Sequence, residues 1–220
     1  MSLNIVIVDY KLGNIRSVIS AFEKFGVNAT LSSDKNKILN SDGLVLPGVG
    51  AFPQAMQNLE SYFLKEVICN YANLNKPLLG ICLGMQLLFS QSEEFEITKG
   101  LGLIDGEVIK IPIKNPSLGK LPQVGFNSIT RNLMNWKGTI LEGIENSSDL
   151  YFVHGFAAKP KDQKEILSTT TYAEFNFCST VKKGNIYGCQ FHPEKSAEQG
   201  LKVIENFIKI VTLLKINSNQ

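Results

Sequence analysis

Residues 77–89 carry the clearest structural signal in the chain, and they read PLLGICLGMQLLF. An apolar run ends at Cys82, which is preceded by Gly80 and followed by Gly84, and a second apolar run at helical spacing comes next. The pattern predicts a sharp strand-to-helix turn with a nucleophile at its tip, because the glycines leave room for a tight bend and close packing. The positive end of the following helix would favour the thiolate, which is the form that attacks carbon.

Strands and helices alternate through the first half of the chain. Short runs rich in Ile, Val and Leu predict buried strands at residues 4–8, 27–31, 43–46 and 78–81. Helices are predicted after Asn14, which can cap the first of them, over about residues 53–73, and from Leu83 onward. Strands separated by helices of this length form a parallel sheet with right-handed crossovers.

The second half is richer in strands. Candidates are residues 107–111, 123–129, 150–154, 165–172, 178–181 and 186–191. Part of this region is expected to add an antiparallel section to the main sheet. Ser196 is predicted to open a final helix with a capping box, Ser-Ala-Glu-Gln. The chain shows no repeat and no linker, so residues 1–220 are interpreted as a single α/β domain with a frayed polar tail at 217–220.

Composition excludes several classes of function. The net charge of the 220 residues is only +2, which does not favour nucleic acid or an anionic membrane as a partner. The start of the chain lacks a basic region that would mark a targeting segment, and no run is long and apolar enough to span a membrane. The four cysteines form no metal-ligand spacing, and only two histidines are present, so we expect no zinc and a reduced, cytoplasmic protein.

His192 is the better candidate for a base that would activate Cys82. Pro193 pushes His192 toward extended backbone, where residues i and i+2 point the same way, so Glu194 can accept the imidazole N–H. The unit follows the predicted strand at 186–191, which places it at the carboxyl edge of the sheet, where open α/β proteins build their sites. The predicted turn at Cys82 lies at the same edge.

A glycine-rich segment, PGVG at residues 47–50, also follows a predicted strand. Such a loop can direct backbone N–H groups at an oxyanion, with the N–H of Leu83 as a second donor. Taken singly, each of these signals has a simpler explanation: a cysteine in an apolar context is usually core, as we interpret Cys69, Cys178 and Cys189. The functional interpretation depends on three motifs at three strand ends.

The sequence resembles the class I, or triad-type, glutamine amidotransferases. GICLGMQ at residues 80–86 is similar to the nucleophile motif of this family, and HPE at 192–194 is similar to its base motif. Within the family the chain is most similar to the glutaminase subunits that serve imidazole glycerol phosphate synthesis in histidine biosynthesis. The segments that carry this likeness are 9–14, 46–52, 100–103, 125–127, 151–154 and 190–196.

The resemblance implies a flavodoxin-like α/β fold and a reaction. Cys82 would attack the side-chain amide carbon of glutamine, His192 would shuttle protons, and Glu194 would orient the imidazole. The residues implied to serve the oxyanion or the substrate are Gly48, Val49, Gly50, Leu83, Gln86, His154, Gly155 and Phe156. No cofactor is implied. The ammonia would pass to a HisF-like (β/α)8 synthase subunit, with which the chain would form a heterodimer.

Two segments depart from the pattern of these subunits. Residues 122–127 read PQVGFN where Pro-His-x-Gly-Trp-Asn is usual, and residues 153–156 read VHGF where Val-His-Ser-Tyr is usual. The first departure leaves open an amination partner in bacterial surface-sugar synthesis as the acceptor of the ammonia. Other classes also remain open: a cysteine peptidase or γ-glutamyl hydrolase on the same fold, and a non-catalytic binding module.

Overall fold

The computed structural model describes residues 3–218 of the chain. The strands are β1 (Ile5–Val8), β2 (Ala29–Ser32), β3 (Gly43–Leu46), β4 (Leu78–Ile81), β5 (Phe89–Ser92), β6 (Thr98–Lys99), β7 (Ile104–Lys110), β8 (Gln123–Ser128), β9 (Thr130–Arg131), β10 (Asp149–His154), β11 (Phe156–Pro160), β12 (Ile166–Tyr172), β13 (Phe175–Lys183) and β14 (Ile186–Cys189). The helices are α1 (Ile15–Glu23), α2 (Lys35–Leu39), α3 (Phe52–Ser61), α4 (Lys65–Asn73), α5 (Leu83–Leu87) and α6 (Ala197–Ser218).

The main sheet has a parallel part and an antiparallel part. Its order is β2-β1-β3-β4-β14-β13-β11-β7-β5-β6, and the pairings from β2 through β14 are all parallel. This order is that of flavodoxin-like sheets. Strand β13 pairs antiparallel with both β14 and β11, and β8 pairs with β10 in a separate two-stranded sheet. The predicted fold class, a mostly parallel sheet with an added antiparallel section, is confirmed.

Strands β3, β4 and β14 lie side by side, and this placement assembles the site. Cys82 directly follows β4, the segment containing His192 follows β14, and the PGVG loop follows β3. The N–H of Cys82 donates to the carbonyl of Cys189 at 2.8 Å, so the β4–β14 pairing continues to Cys82 itself. Parallel strands end at a common edge, and the three segments therefore converge there.

Apolar side chains cover both faces of the parallel sheet. On one face α1 and α6 pack together, with the rings of Phe22 and Phe207 at 6.4 Å and nearly perpendicular. On the other face α3 and α4 bury residues such as Leu59 and Tyr71 against the strands. Because β1, β3 and β4 are buried on both faces, they read as continuous apolar runs.

Several local predictions differ from the structure. The single helix predicted at 53–73 is two helices, because Phe63 has a φ of 55° and reverses the chain between α3 and α4. The helix from Leu83 ends at Leu87, because Phe89 begins a strand that pairs with β7. Asn14 does not cap α1 with its side chain; its Oδ1 accepts from the Ser17 hydroxyl instead.

The last helix reaches Ser218, so the tail predicted at 217–220 overlaps its final residues, and residues 219 and 220 lie outside those described. Strands β5, β6, β9 and β11 and helix α2 were not predicted. None of the helices formed by residues 3–218 has the length and apolar character that a bilayer span requires.

Candidate active site

The backbone at Cys82 is held in a strained conformation by close packing. Its φ of 53° and ψ of −111° lie in a region that residues with a side chain rarely adopt. A Cβ on Gly84 would lie 1.8 Å from the carbonyl oxygen of Leu46, and one on Gly80 would lie 2.7 Å from the carbonyl oxygen of Gly84. The two glycines thus let β3, β4 and the turn approach each other, as the sequence indicates.

The helix that follows Cys82 is short. It has five residues, Leu83–Leu87, and so aligns fewer peptide dipoles than a helix of average length. Cys82 is almost fully buried, and its sulfur approaches the side-chain amide of Gln190 at 3.6 Å and the carbonyl of Val153 at 3.9 Å. A side-chain amide and a backbone carbonyl from other segments therefore contact the sulfur directly, in addition to the helix that follows it.

His192 and Glu194 form a buried pair. Nδ1 of His192 lies 2.8 Å from Oε1 of Glu194, and both side chains are at most 2% exposed. Burial lowers the pKa of His192, but the adjacent Cys82 and Glu194 side chains raise the pKa more strongly, to about 10. With Nδ1 facing the carboxylate, Nε2 is the ring nitrogen left for proton transfer, and it has no hydrogen-bond partner among the residues described.

Ser196 fixes the backbone of His192. Its hydroxyl donates to the His192 carbonyl at 2.7 Å and accepts from the Tyr151 N–H at 2.9 Å. The N–H of His192 donates to the Tyr151 carbonyl, also at 2.9 Å. Ser196 thus ties the 192–196 segment to β10. This use of the hydroxyl replaces the capping box predicted at the start of α6.

The loop at 47–50 lies at the rim of the site. The hydroxyl of Tyr10 donates to the Pro47 carbonyl, and burial raises the pKa of that hydroxyl well above its usual range. Gly48 packs behind the loop, where a Cβ would meet the Tyr10 hydroxyl at 2.6 Å. The N–H groups of Val49 and Gly50 make no hydrogen bond within the described part of the chain, which leaves them available to an oxyanion.

A cavity of about 350 Å³ opens onto the thiol. Most of the residues that the sequence predicts for substrate or oxyanion binding line it, and Gly48 does not. The lining residues are Val49, Gly50, Cys82, Leu83, Gln86, Glu94, Val153, His154, Gly155, Phe156 and Lys195. Two larger surface concavities, of about 620 and 600 Å³, contain no group of the predicted triad.

Gln86 and His154 bond to the same carbonyl group. Nε2 of Gln86 donates to the Phe156 oxygen at 3.0 Å, and Nδ1 of His154 lies 2.7 Å from that oxygen. Burial lowers the pKa of His154 to about 4, against the smaller raising effect of the Phe156 carbonyl. His154 is neutral and donates to a carbonyl group, and no carboxylate orients its ring. His192 has such a carboxylate in Glu194, so the geometry favours His192 over His154 as the base.

Glu94 and Lys195 line the cavity but were missed in the sequence. The carboxylate of Glu94 accepts from the N–H of Phe52 at 2.7 Å, at the start of α3. Glu94 follows β5, which was itself not predicted, so no pattern linked it to the site. Lys195 lies within the HPEKS segment, and only its position directly after Glu194 could have indicated it. Residues 3–218 contain no cluster of His, Cys, Asp or Glu side chains that could hold a metal ion.

The fold and the site define a class of protein: α/β enzymes that place a cysteine at a strand-to-helix turn, with a histidine–carboxylate pair on the neighbouring strand end. The model of the family Glutamine amidotransferase class-I matches residues 6–211, and the chain belongs to this family.

Curated relatives agree with this assignment. The chain is 44% identical over 211 residues to the imidazole glycerol phosphate synthase subunit HisH 1 of Legionella pneumophila (strain Lens), covering 94% of this chain and 99% of the relative. It is 45% identical over 205 residues to subunit HisH of Lactococcus lactis subsp. lactis, covering 93% and 98%.

Among solved structures, PurLQS from Thermotoga maritima is similar with a TM-score of 0.70 and 20% identity, over 95% of this chain and 99% of that one. At this identity the likeness supports the fold alone.

Proposed function

We propose that this chain hydrolyses L-glutamine to glutamate and ammonia and delivers the ammonia to a synthase that makes imidazole glycerol phosphate. The observation that carries the chemistry is the Cys82 sulfur, open to a cavity and next to the buried His192–Glu194 pair. Near-full-length identity above 40% to subunits named HisH supports the pathway.

The proposed reaction has two halves. His192 takes the thiol proton, Cys82 attacks the amide carbon, and the N–H groups of Val49, Gly50 and Leu83 stabilise the negative oxygen that forms. The proton then passes from His192 to the amide nitrogen, the C–N bond breaks, and ammonia leaves. Water, deprotonated by the same imidazole, attacks the thioester and releases glutamate with the thiol restored.

The cavity suits a small zwitterion. Glu94 and Lys195 supply opposite charges to its lining, which would pair with the α-ammonium and α-carboxylate groups of glutamine. Gln86 lies one helical turn beyond Cys82 and also lines the cavity, so it can contact the part of the substrate next to the reacting amide. The cavity volume of about 350 Å³ lies at the low end of the range for small-molecule pockets, which favours a single amino acid over a segment of a protein as the substrate.

An apolar surface borders the cavity and is proposed as the docking site for a HisF-like (β/α)8 partner in a heterodimer. Val124 and Phe126 are more than half exposed on one face of β8, opposite Val153 and Tyr151 of β10. The rings of Phe126 and Tyr151 are 5.5 Å apart, and the Val153 side of this surface reaches the cavity. We infer that the pair works in the cytoplasm, where its thiols stay reduced.

Reconstitution tests the proposal directly. The chain is mixed with an imidazole glycerol phosphate synthase barrel, and glutamate formation and glutamine-dependent product formation are measured. We expect both activities, and we expect Cys82→Ala to abolish them while free ammonium still supports synthesis by the barrel. Product formed only with a sugar-modifying partner would overturn the pathway, and cleavage of peptides without glutamine hydrolysis would overturn the chemistry.

A further inference from the structure

Gln190 contacts the sulfur of Cys82 and has no role in the mechanism above. Its side chain is fully buried, between the end of β14 and His192. Nε2 of Gln190 donates to Sγ of Cys82 at 3.6 Å, and Oε1 accepts from Nε2 of Gln86 at 2.9 Å. The backbone N–H of Gln190 donates to the Ser179 carbonyl at 2.9 Å, so β13 holds the residue in place.

The bonding network fixes which end of the Gln190 amide faces the sulfur. Nε2 of Gln86 is held by the Phe156 carbonyl at 3.0 Å, which identifies it as the nitrogen end of that amide. Its second hydrogen then requires an acceptor, and the oxygen of Gln190 supplies it. Turning Gln190 over would set two NH2 groups against each other, so the nitrogen of Gln190 must point at Cys82.

Besides His192, two hydrogen-bonding groups lie near the sulfur, and they favour different protonation states of it. A neutral thiol can donate weakly to the Val153 carbonyl at 3.9 Å, but a thiolate gains nothing from that oxygen. An N–H donor stabilises the thiolate far more than the thiol, because hydrogen bonds to charged acceptors are the stronger ones. The amide of Gln190 thus favours the charged form of the nucleophile, next to the His192 imidazole that receives the proton.

We propose that Gln190 is a catalytic residue whose side-chain amide stabilises the Cys82 thiolate, and that its bond to Gln86 links the nucleophile to the substrate pocket; this rests on the proposed function. The donor acts twice. It stabilises the thiolate before attack, and it stabilises the same thiolate as the leaving group when water cleaves the thioester. A thiolate that is easier to form is also a weaker nucleophile, with a Brønsted coefficient of about 0.4–0.5, so the net effect on attack is smaller than the change in thiolate fraction.

Alkylation of Cys82 by iodoacetamide as a function of pH tests the proposal without glutamine. The experiment uses the full chain carrying Cys69→Ser, since Cys69 is the one cysteine within residues 3–218 that is not buried, and peptide mass spectrometry follows Cys82. For Gln190→Met, which keeps the volume and removes the donor, we expect the midpoint of the rate profile to rise by about one pH unit. Below the midpoint the rate should fall about threefold.

Gln190→Glu is the second variant, because it keeps the shape and replaces the donor with an acceptor. Its midpoint should rise at least as far as that of Gln190→Met. Gln86→Met removes the partner that orients the Gln190 amide, so it should raise the KM for glutamine and should raise the midpoint by less than Gln190→Met does. Gln123→Met is the matched control: Gln123 is also fully buried, but its Nε2 bonds to Asn127 and not to the sulfur, so the midpoint should not move.

An unchanged midpoint in both Gln190 variants, with native circular dichroism, would overturn the inference. A shifted midpoint in a chain that does not hydrolyse glutamine would instead overturn the proposed function and leave the thiolate role intact.

Discussion

Cys82 combines a left-handed backbone with a buried sulfur, and neither property follows from its residue type. The strain at a φ of 53° persists because Gly80 and Gly84 let the surrounding backbone close around the turn. The G-x-C-x-G spacing and the His-Pro-Glu spacing are local, so the turn at Cys82 and the His192–Glu194 contact could be predicted. The contacts of Glu94 and Gln190 are long-range, and their partners were not predictable from local patterns.

Glu194 is expected to matter less than the nucleophile it serves. In the wild-type chain Nδ1 of His192 lies 2.8 Å from the Glu194 carboxylate. In Glu194→Gln the amide oxygen can still accept from Nδ1, but the negative charge of Glu194, which helps to raise the pKa of His192, is gone. We expect the kcat for glutamine hydrolysis to fall about 100-fold, while Cys82→Ala removes activity. Steady-state assays of glutamate release decide this, and a loss as complete as that of Cys82→Ala would show that the charge does more than orient the ring.

His154 should make the protein less stable in mild acid. Burial lowers its pKa to about 4 in the folded state, so between pH 6.5 and 4 the unfolded chain binds a proton that the folded chain does not. The free energy of unfolding therefore falls as pH drops through this window, by about 3 kcal/mol from this group. Urea denaturation at several pH values should give a flatter profile for His154→Gln. Parallel profiles for the two proteins would contradict the assignment.

At the scale of secondary structure, the misassigned helix shows what a residue pattern cannot reveal. The chain turns after α3 in a Schellman motif: Phe63 donates to the Glu60 carbonyl at 2.9 Å and Leu64 to the Leu59 carbonyl at 2.8 Å. Glycine usually occupies the left-handed position of this motif, but here it is Phe63. Without the glycine no stop signal was visible, and an apolar pattern running to residue 73 was interpreted as one helix.

The turn between β4 and α5 should not tolerate a methyl group at Gly84. A Cβ there would lie 1.8 Å from the Leu46 carbonyl oxygen, so Gly84→Ala must push β3 and the turn apart. We expect a loss of about 3 kcal/mol or more in unfolding free energy, together with loss of glutaminase activity. Gly26→Ala is the control, since a Cβ there meets nothing within 4 Å and only its φ of +70° opposes the change, at about 1 kcal/mol. Equal losses in chemical denaturation would contradict the packing argument.

Ser196, directly before α6, connects the 192–196 segment to β10 through the backbone of His192. Ser196→Ala leaves the His192 carbonyl and the Tyr151 N–H without their shared hydroxyl partner, which should cost about 2 kcal/mol of unfolding free energy. Since the His192 segment loosens, the kcat should fall more than the KM rises. Ser148→Ala is the control: it removes an exposed hydrogen bond from the Ser148 hydroxyl to the Glu145 carbonyl and should change neither the unfolding free energy nor the kcat. A Ser196 variant with wild-type kcat would exclude the positioning role.

At the scale of the whole molecule, alternation of strands and helices predicted the parallel half well, because buried central strands leave continuous apolar runs. The antiparallel half was less predictable. Strand β13 extends over Phe175–Lys183 although only residues 178–181 were predicted, and β6 and β9 have two residues each, so the boundaries of these strands depend on partners far away in the chain.

The apolar face of the β8–β10 sheet should govern assembly. Phe126→Asp places a charge on the proposed docking surface, where Phe126 is 56% exposed, and should abolish co-purification with the barrel subunit without a change in circular dichroism. Phe63→Asp is the matched control, because Phe63 is also exposed but lies beyond the far end of α3. If the Phe126 variant still co-purifies, the partner binds elsewhere.

The pairing of β4 with β14 has a consequence for biosynthesis of the enzyme. Cys82 and Gln190 are 108 residues apart, and they meet only after nearly the whole polypeptide has been made and the two strands have joined. A ribosome-bound fragment that already contains the sulfur would therefore carry an ordinary thiol. The reactivity of Cys82 should therefore change when the two strands join, and brief alkylation followed by peptide mass spectrometry, which separates Cys82 from the other three cysteines, could time that event in a refolding experiment.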